Sequence, residues 1–155
     1  MTNLPLLLAL VACLNVAKTE AIADPTERAI ARALPRIAQG AETYTTHRTC
    51  FSCHHQATAM MTLSAARARG FAVEPGSIKK QVDFTLESFR PDLERIAKGQ
   101  GVPGGNTMAA YALFALDVAG HPANDTTAAL VEYLLARQKA DGSSSSARRS
   151  VCISA

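Results

Sequence analysis

The sequence has no tryptophan, and its aromatic content is limited to three tyrosines and five phenylalanines. It has few β-branched residues, and no stretch sustains the period-2 alternation that marks a half-buried strand. No run of lysine and arginine is interleaved with aromatics, so a nucleic-acid surface is not expected. The glycine-rich stretch Gly101–Gly105 is followed by no Lys-Ser/Thr pair, which argues against a phosphate loop. Glu87, Asp92 and Glu94 are spaced as a solvated face, no carboxylate pair is placed for acid–base catalysis, and no Ser/His/Asp set can be identified. Met60, Met61 and Met108 fit a close-packed core better than a ligand tunnel.

What is there favours helices. Of the 155 residues, 48% are hydrophobic, which suits a globular domain, and alanine and leucine dominate them. The net charge of +3 comes mostly from scattered arginines on helix surfaces. Residues 4–16, LPLLLALVACLNV, are apolar except for Asn15, too short to span a bilayer and about right for a signal-peptide core. The small-x-small AIA at 21–23 follows as a cleavage site. The expectation is an exported chain, periplasmic or secreted, with a leader over 1–23 and a mature start at Asp24. A lysine or arginine before the apolar run is missing. A competing lipobox reading of LVAC at 10–13 makes Cys13 a lipid-bearing terminus, and the membrane enters only on that reading.

Export leaves about 130 residues, enough for one modest core. Asp24 as N-cap, Pro25 at N1 and Glu27 at N3 predict a capping box opening a first helix. Ile30, Ala33, Leu34 and Ile37 share one face of it, and Pro35 predicts a kink. Further helices are predicted from about Ser52 to Arg69, Ser77 to Phe89, Thr107 to Ala119 and Thr126 to Lys139. Gly70 and Gly120 serve as helix stops. An internal repeat accompanies them. With Gly70 set over Gly120, Ala59, Leu63 and Ala65 fall over Ala109, Leu113 and Ala115 at an offset of 50. One residue is then lost, and VDFTLESF (82–89) falls over VEYLLARQ (131–138) at an offset of 49. Such a period indicates stacked helical hairpins. The fold class expected is all-α, with a helical-repeat domain over 24–142.

The segment TCFSCHHQ (49–56) concentrates the chemistry. Cys50, Cys53 and His54 form C-x-x-C-H, the attachment pattern of haem c. Two thiols three residues apart on a helical turn suit the two vinyl groups of haem, and the next histidine is placed as proximal ligand to the iron. The sixth ligand stays open. His55 lies about 100° round the helix from His54. Met60 and Met61 sit on the same helix and reach the iron poorly, while Met108, His121 or His47 approach from other segments. Zinc is the weaker alternative, held by His47, Cys50, Cys53 and His54 or His55. A Cys50–Cys53 disulfide, or unmodified thiols at a helix start, are the others. Cys13 and Cys152 are expected to stand apart from the site.

At LLARQKADGS (134–143), Gln138, Asp141, Gly142 and Ser143 resemble the end of a squalene/hopene-cyclase or prenyltransferase-type repeat, whose motif runs from Gln to Asp-Gly-Ser-Trp. The tryptophan is replaced here by SSSARRSVCISA, so the tail 143–155 reads as a disordered or aberrant segment that leaves its frame. The resemblance implies an open, N-terminal segment of an α/α-toroid-like architecture. The cyclase acid motif D-x-D-D is absent, so terpenoid cyclisation is not carried over and enzymatic activity is left open. CFSCHHQ before an Ala-rich helix also resembles exported bacterial proteins that place a cytochrome-c-like motif at the start of toroid-type repeats. Two functions are expected in competition. One is a c-type haem protein for electron transfer or redox sensing with a periplasmic redox partner. The other is a non-catalytic toroid-type binding or scaffold module that meets further repeats and keeps the Cys/His cluster for structure.

Overall fold

Alanine and leucine place most of the described residues of the computed structural model, 24–144, in helices. The proposed leader with Cys13, and the tail beyond Ser144 with Cys152, lie outside them. Helix α1 spans Pro25–Thr45. A π-helical turn, Cys53–Ala57, runs directly into α2, Thr58–Ala68. Helix α3 spans Pro75–Phe89, and the 3-10 turn Arg90–Asp92 leads into the short α4, Leu93–Ala97. Helices α5, Gly105–Val118, and α6, Asp125–Arg137, complete the order. Among the described residues no strand forms, only an isolated antiparallel bridge between Gln138 and Ser144. The fold is all-α, as the sequence predicts. Among the described residues no helix is long and apolar enough to cross a membrane.

Helix α1 departs from expectation at its start. Asp24 is the N-cap and Pro25 follows at N1, but the Asp24 side chain accepts no cap hydrogen bond. The predicted capping box is therefore not closed, and the Asp24 carbonyl accepts only the ordinary first helical bond, from Arg28 N–H at 3.0 Å. Pro35 lies inside the helix, which continues to Thr45. Proline removes one backbone donor there. Burial of Leu34 and Ala41 on either side of it offsets that loss. The expected four-residue apolar face narrows to Leu34, with Ile37 half-buried and Ile30 and Ala33 exposed.

The two glycine stops are built alike. Gly70 and Gly120 have φ of 84° and 74°, a region open to glycine at little cost. After α2, Phe71 N–H donates to Ala66 O (3.1 Å) and Gly70 N–H to Arg67 O (3.0 Å). After α5, His121 N–H donates to Leu116 O (3.0 Å) and Gly120 N–H to Asp117 O (2.8 Å). Each pair is a Schellman closure that satisfies the last carbonyls of its helix. The next N-caps, Glu74 and Asn124, are also 50 residues apart, so the residue the sequence comparison drops is not lost between stop and cap. The Glu74 carboxylate accepts from Gly76 N–H and Ser77 N–H. Asn124 and Thr127 close a reciprocal capping box.

Packing follows from these hairpins. One core cluster joins Phe51, Ala57 and Met60 to Phe89, Ile96, Ala109, Ala112, Ala115, Leu130 and Tyr133. A smaller one joins Leu34 of α1 to Leu63, Ala66 and Ile78, and Val82 and Ala119 touch both. Short helix α4, which the sequence pattern does not reveal, packs on α6. Arg137 ties that corner together. Its Nε donates to Asn106 Oδ1 (3.1 Å), its Nη1 to Gly99 O (3.1 Å), and its guanidinium lies 5.3 Å from the Tyr133 ring centroid.

Two outcomes are expected. No atom lies within 4 Å of a Cβ built on Gly70 or Gly120. Gly70→Ala and Gly120→Ala should therefore each cost about 1 kcal/mol in urea unfolding, from backbone strain alone. Burial raises the Tyr133 phenol above its ordinary value, with Arg137 opposing. The unfolded chain then ionises first on the alkaline side. Stability should be level below about pH 10 and fall above it, and Tyr133→Phe should flatten that fall in a melting-temperature series.

Candidate functional site

The cysteine–histidine segment is fixed from both ends. Helix α1 closes with Thr46 N–H on Thr43 O and His47 N–H on Tyr44 O. Between the two cysteines, Phe51 is buried and its ring packs on Phe89, with centroids 5.7 Å apart. That anchor holds Cys50 and Cys53 at the surface on either side of a core residue, both half-buried.

Ser52 begins the helical run as N-cap, and its hydroxyl accepts from His55 N–H at 3.3 Å. Gln56 answers, its Oε1 accepting from Ser52 N–H at 2.9 Å. This is a capping box with one residue added. The addition is the π turn, in which Ala57 N–H reaches back five residues to Ser52 O at 3.3 Å. Gln56 is fully buried, and its Nε2 meets no hydrogen-bond partner. An unsatisfied buried amide donor costs on the order of 1–3 kcal/mol, so the turn carries a polar group that a plain helix start does not need.

The two histidines face different neighbours. His54 is exposed, with Nδ1 3.3 Å from Cys53 Sγ. Thr58 Oγ1 donates to the His54 carbonyl. His55 stacks on Tyr44 of α1, with centroids 4.5 Å apart and planes 20° apart, and its Nδ1 lies 3.3 Å from Ser52 Oγ. Tyr44 in turn meets Phe84 edge-on at 6.3 Å, and its hydroxyl lies 3.6 Å from Cys50 Sγ. Beside this stack is an open cleft of about 500 Å³ that includes Arg36, Gln39, His47 and Arg48 in its lining and no acidic side chain.

Cys53 is a free thiol. Cys50 is held in a disulfide. The Cys50–Cys53 disulfide weighed from the sequence is therefore not formed. Among the described residues no group of three or more His, Cys, Asp or Glu side chains is gathered to hold a metal ion. His47 borders the cleft with His55, whereas His54 touches Cys53, so the four-ligand zinc set is not brought together.

The candidates for a sixth iron ligand are dispersed. Met60 is fully buried in the main core, Met108 packs against it, and Met61 is half-buried. His121 is half-buried with its Nε2 2.9 Å from Asn124 Nδ2. At the far end of α6, Gln138, Asp141, Gly142 and Ser143 form a tight turn. Lys139 N–H donates to Ser143 O at 2.8 Å and Ser143 N–H to Asp141 Oδ1 at 2.9 Å. Hydrogen bonds from Ser143 hold the Asp141 carboxyl below its ordinary value.

Sequence reasoning locates Cys50, Cys53 and His54 but misses the Tyr44–His55 stack and the Ser52–Gln56 box. The Ser-to-Gln spacing of four, one more than a capping box needs, is the signal for the second. Nothing in the sequence pairs Tyr44 with His55. Comparison of the chain with family models, curated proteins and solved structures finds no match in any of the three.

Loss of the Ser52 hydroxyl should uncap the π turn. Ser52→Ala is expected to lower stability by about 1 kcal/mol in urea unfolding, with the helical circular-dichroism signal of the folded state unchanged.

Proposed function

We propose that this is an exported c-type haem-binding protein that transfers electrons or senses redox state outside the cytoplasm. The observation that carries the reading is C-x-x-C-H at the start of a helix, with both cysteines half-buried and the adjacent His54 exposed. The donor set fits the group. Cys50 and Cys53 would hold haem through thioether links on either side of the Phe51 anchor, and His54 would be the proximal ligand. When bound, haem supplies reversible one-electron chemistry at iron. Attachment at Cys50 needs a thiol, so a dithiol reductant must first open the disulfide that holds it. The second histidine is engaged with Tyr44 and leaves His54 as the imidazole available in the motif. The leader-like residues 1–23 support export, since an oxidising compartment is also where a disulfide at Cys50 persists. Periplasmic placement follows from that leader, and the lipid-anchored form through Cys13 remains its variant.

A second reading has its own support. The matched glycine stops and N-caps, 50 residues apart, suit a repeat of the toroid type. On it the chain is a non-catalytic binding or scaffold module and the Cys/His cluster is structural.

One experiment separates them. The protein is produced with a haem maturation system, run on a denaturing gel and stained for haem, with a reduced-minus-oxidised spectrum of the native pool. The expected result is a coloured band and a mass increased by about one haem. Cys50→Ser together with Cys53→Ser should abolish both and leave the helical signal intact. A colourless wild-type band with a normal helical spectrum would refute the haem reading and leave the scaffold.

A further inference from the structure

The equal glycine stops let each position of α2 be set against one of α5, 50 residues on. Ala57, Met60 and Ser64, from the π turn and α2, are buried, while Thr58, Thr62 and Ala65 are exposed. Along α5 the pattern is inverted. Ala112 and Ala115, the counterparts of Thr62 and Ala65, are fully buried. Thr107, Ala110 and Phe114, the counterparts of Ala57, Met60 and Ser64, are exposed. Ala57 and Met60 share a core cluster with Ala112 and Ala115. The leading face of α2 therefore packs against the trailing face of α5.

Both unused halves of that interface are exposed among the described residues. The leading face of α5 carries Phe114 at 51% exposure and Tyr111 at 39%, and neighbouring α6 adds Leu135 at 57%. Large apolar side chains grouped in solvent mark contact surfaces. The trailing face of α2 is small, with Thr58, Thr62 and Ala65, and α1 leaves it bare because Leu34 packs on Leu63 and Ala66 instead. Charge matches too. Arg69 is exposed at the end of the trailing face, and Asp117 is exposed one turn beyond Phe114 on the leading one.

We propose that copies of this chain associate head to tail, the leading face of α5 in one copy packing on the trailing face of α2 in the next. The contact repeats between molecules the packing already made within one. It is heterologous, so each added copy exposes a fresh face. It does not depend on Cys50 or Cys53.

Sedimentation velocity with a thiol reductant present tests it, the reductant excluding a disulfide dimer through Cys53. The wild-type mass should rise with concentration past two copies. Phe114→Glu and Ala65→Glu each remove one face at an exposed position, and each should stay a single copy with an unchanged circular-dichroism spectrum. Their equimolar mixture keeps one intact face of each kind and should stop at two copies. A wild type that stays single up to roughly millimolar concentration would overturn the proposal. So would loss of association in Phe114→Glu but not in Ala65→Glu, which points to like faces meeting, or a mixture that does not associate.

Discussion

Close packing of the π turn and α2 against the alanine face of α5 is the constraint on which the rest of the molecule hangs. Ala57, Ala109, Ala112 and Ala115 are fully buried in one cluster. Their small side chains let two helices approach with little between them, and dispersion contacts there are lost quickly if a gap opens. Larger buried groups in the same cluster, Met60, Phe89, Ile96 and Tyr133, fill the space around the alanines. Once α2 is fixed on α5, the turn that begins α2 is fixed as well, and that turn carries Cys53, His54 and His55. The site is thus positioned by a core that contains none of its functional groups.

Fixing the turn takes more than the core. Phe51 inserts between the cysteines, Ser52 and Gln56 cap each other, and Tyr44 takes the face of His55. Each contact holds a different residue of the same eight-residue segment. Together they leave Cys53 and His54 least constrained, with their own 3.3 Å contact and one bond to the His54 carbonyl. A group left this free on a rigid base can still meet a ligand from solvent. The π turn contributes by adding a residue between cap and answer, so that Gln56 rather than His55 turns inward. His55, the third residue after Ser52, gives its N–H to the cap and keeps its ring on Tyr44.

Much of the architecture was legible in the sequence because its signals are local. Gly70 and Gly120 mark helix ends by backbone preference, and the alanine-rich segments between them mark helices. The all-α class follows from the lack of alternation. What escaped was non-local or one residue off. Helix α4 has only five residues, too short to show a period, and it exists because Ile96 is buried beneath it. The capping box at Asp24 failed although its residues were present, since the box is an option of the side chains and not a requirement. The offset of 49 in the second helices came from matching residue types in VDFTLESF and VEYLLARQ, whereas the N-caps keep 50. Residue likeness and helix start need not coincide when the two helices pack on different neighbours, α3 on α1 and α2, α6 on α4 and α5. At the site, the identities of Cys50, Cys53 and His54 were readable, and their unequal states were not. A free thiol at one and a disulfide at the other are not written in the motif itself.

That inequality sets an order of events. If both thiols of C-x-x-C-H were oxidised to each other, one reduction would ready the pair. Here Cys53 is already a thiol beside an imidazole, while Cys50 is tied elsewhere. Attack of the Cys53 thiolate on the Cys50 sulfur would form a Cys50–Cys53 bond and release the sulfur previously bonded to Cys50 as a thiolate, with no net oxidation or reduction. An external dithiol can then reduce this local pair in the same way for every molecule, whatever held Cys50 before. On the haem proposal, the three-residue spacing would serve both steps, since C-x-x-C cysteines can form a local disulfide and the same spacing suits two vinyl groups.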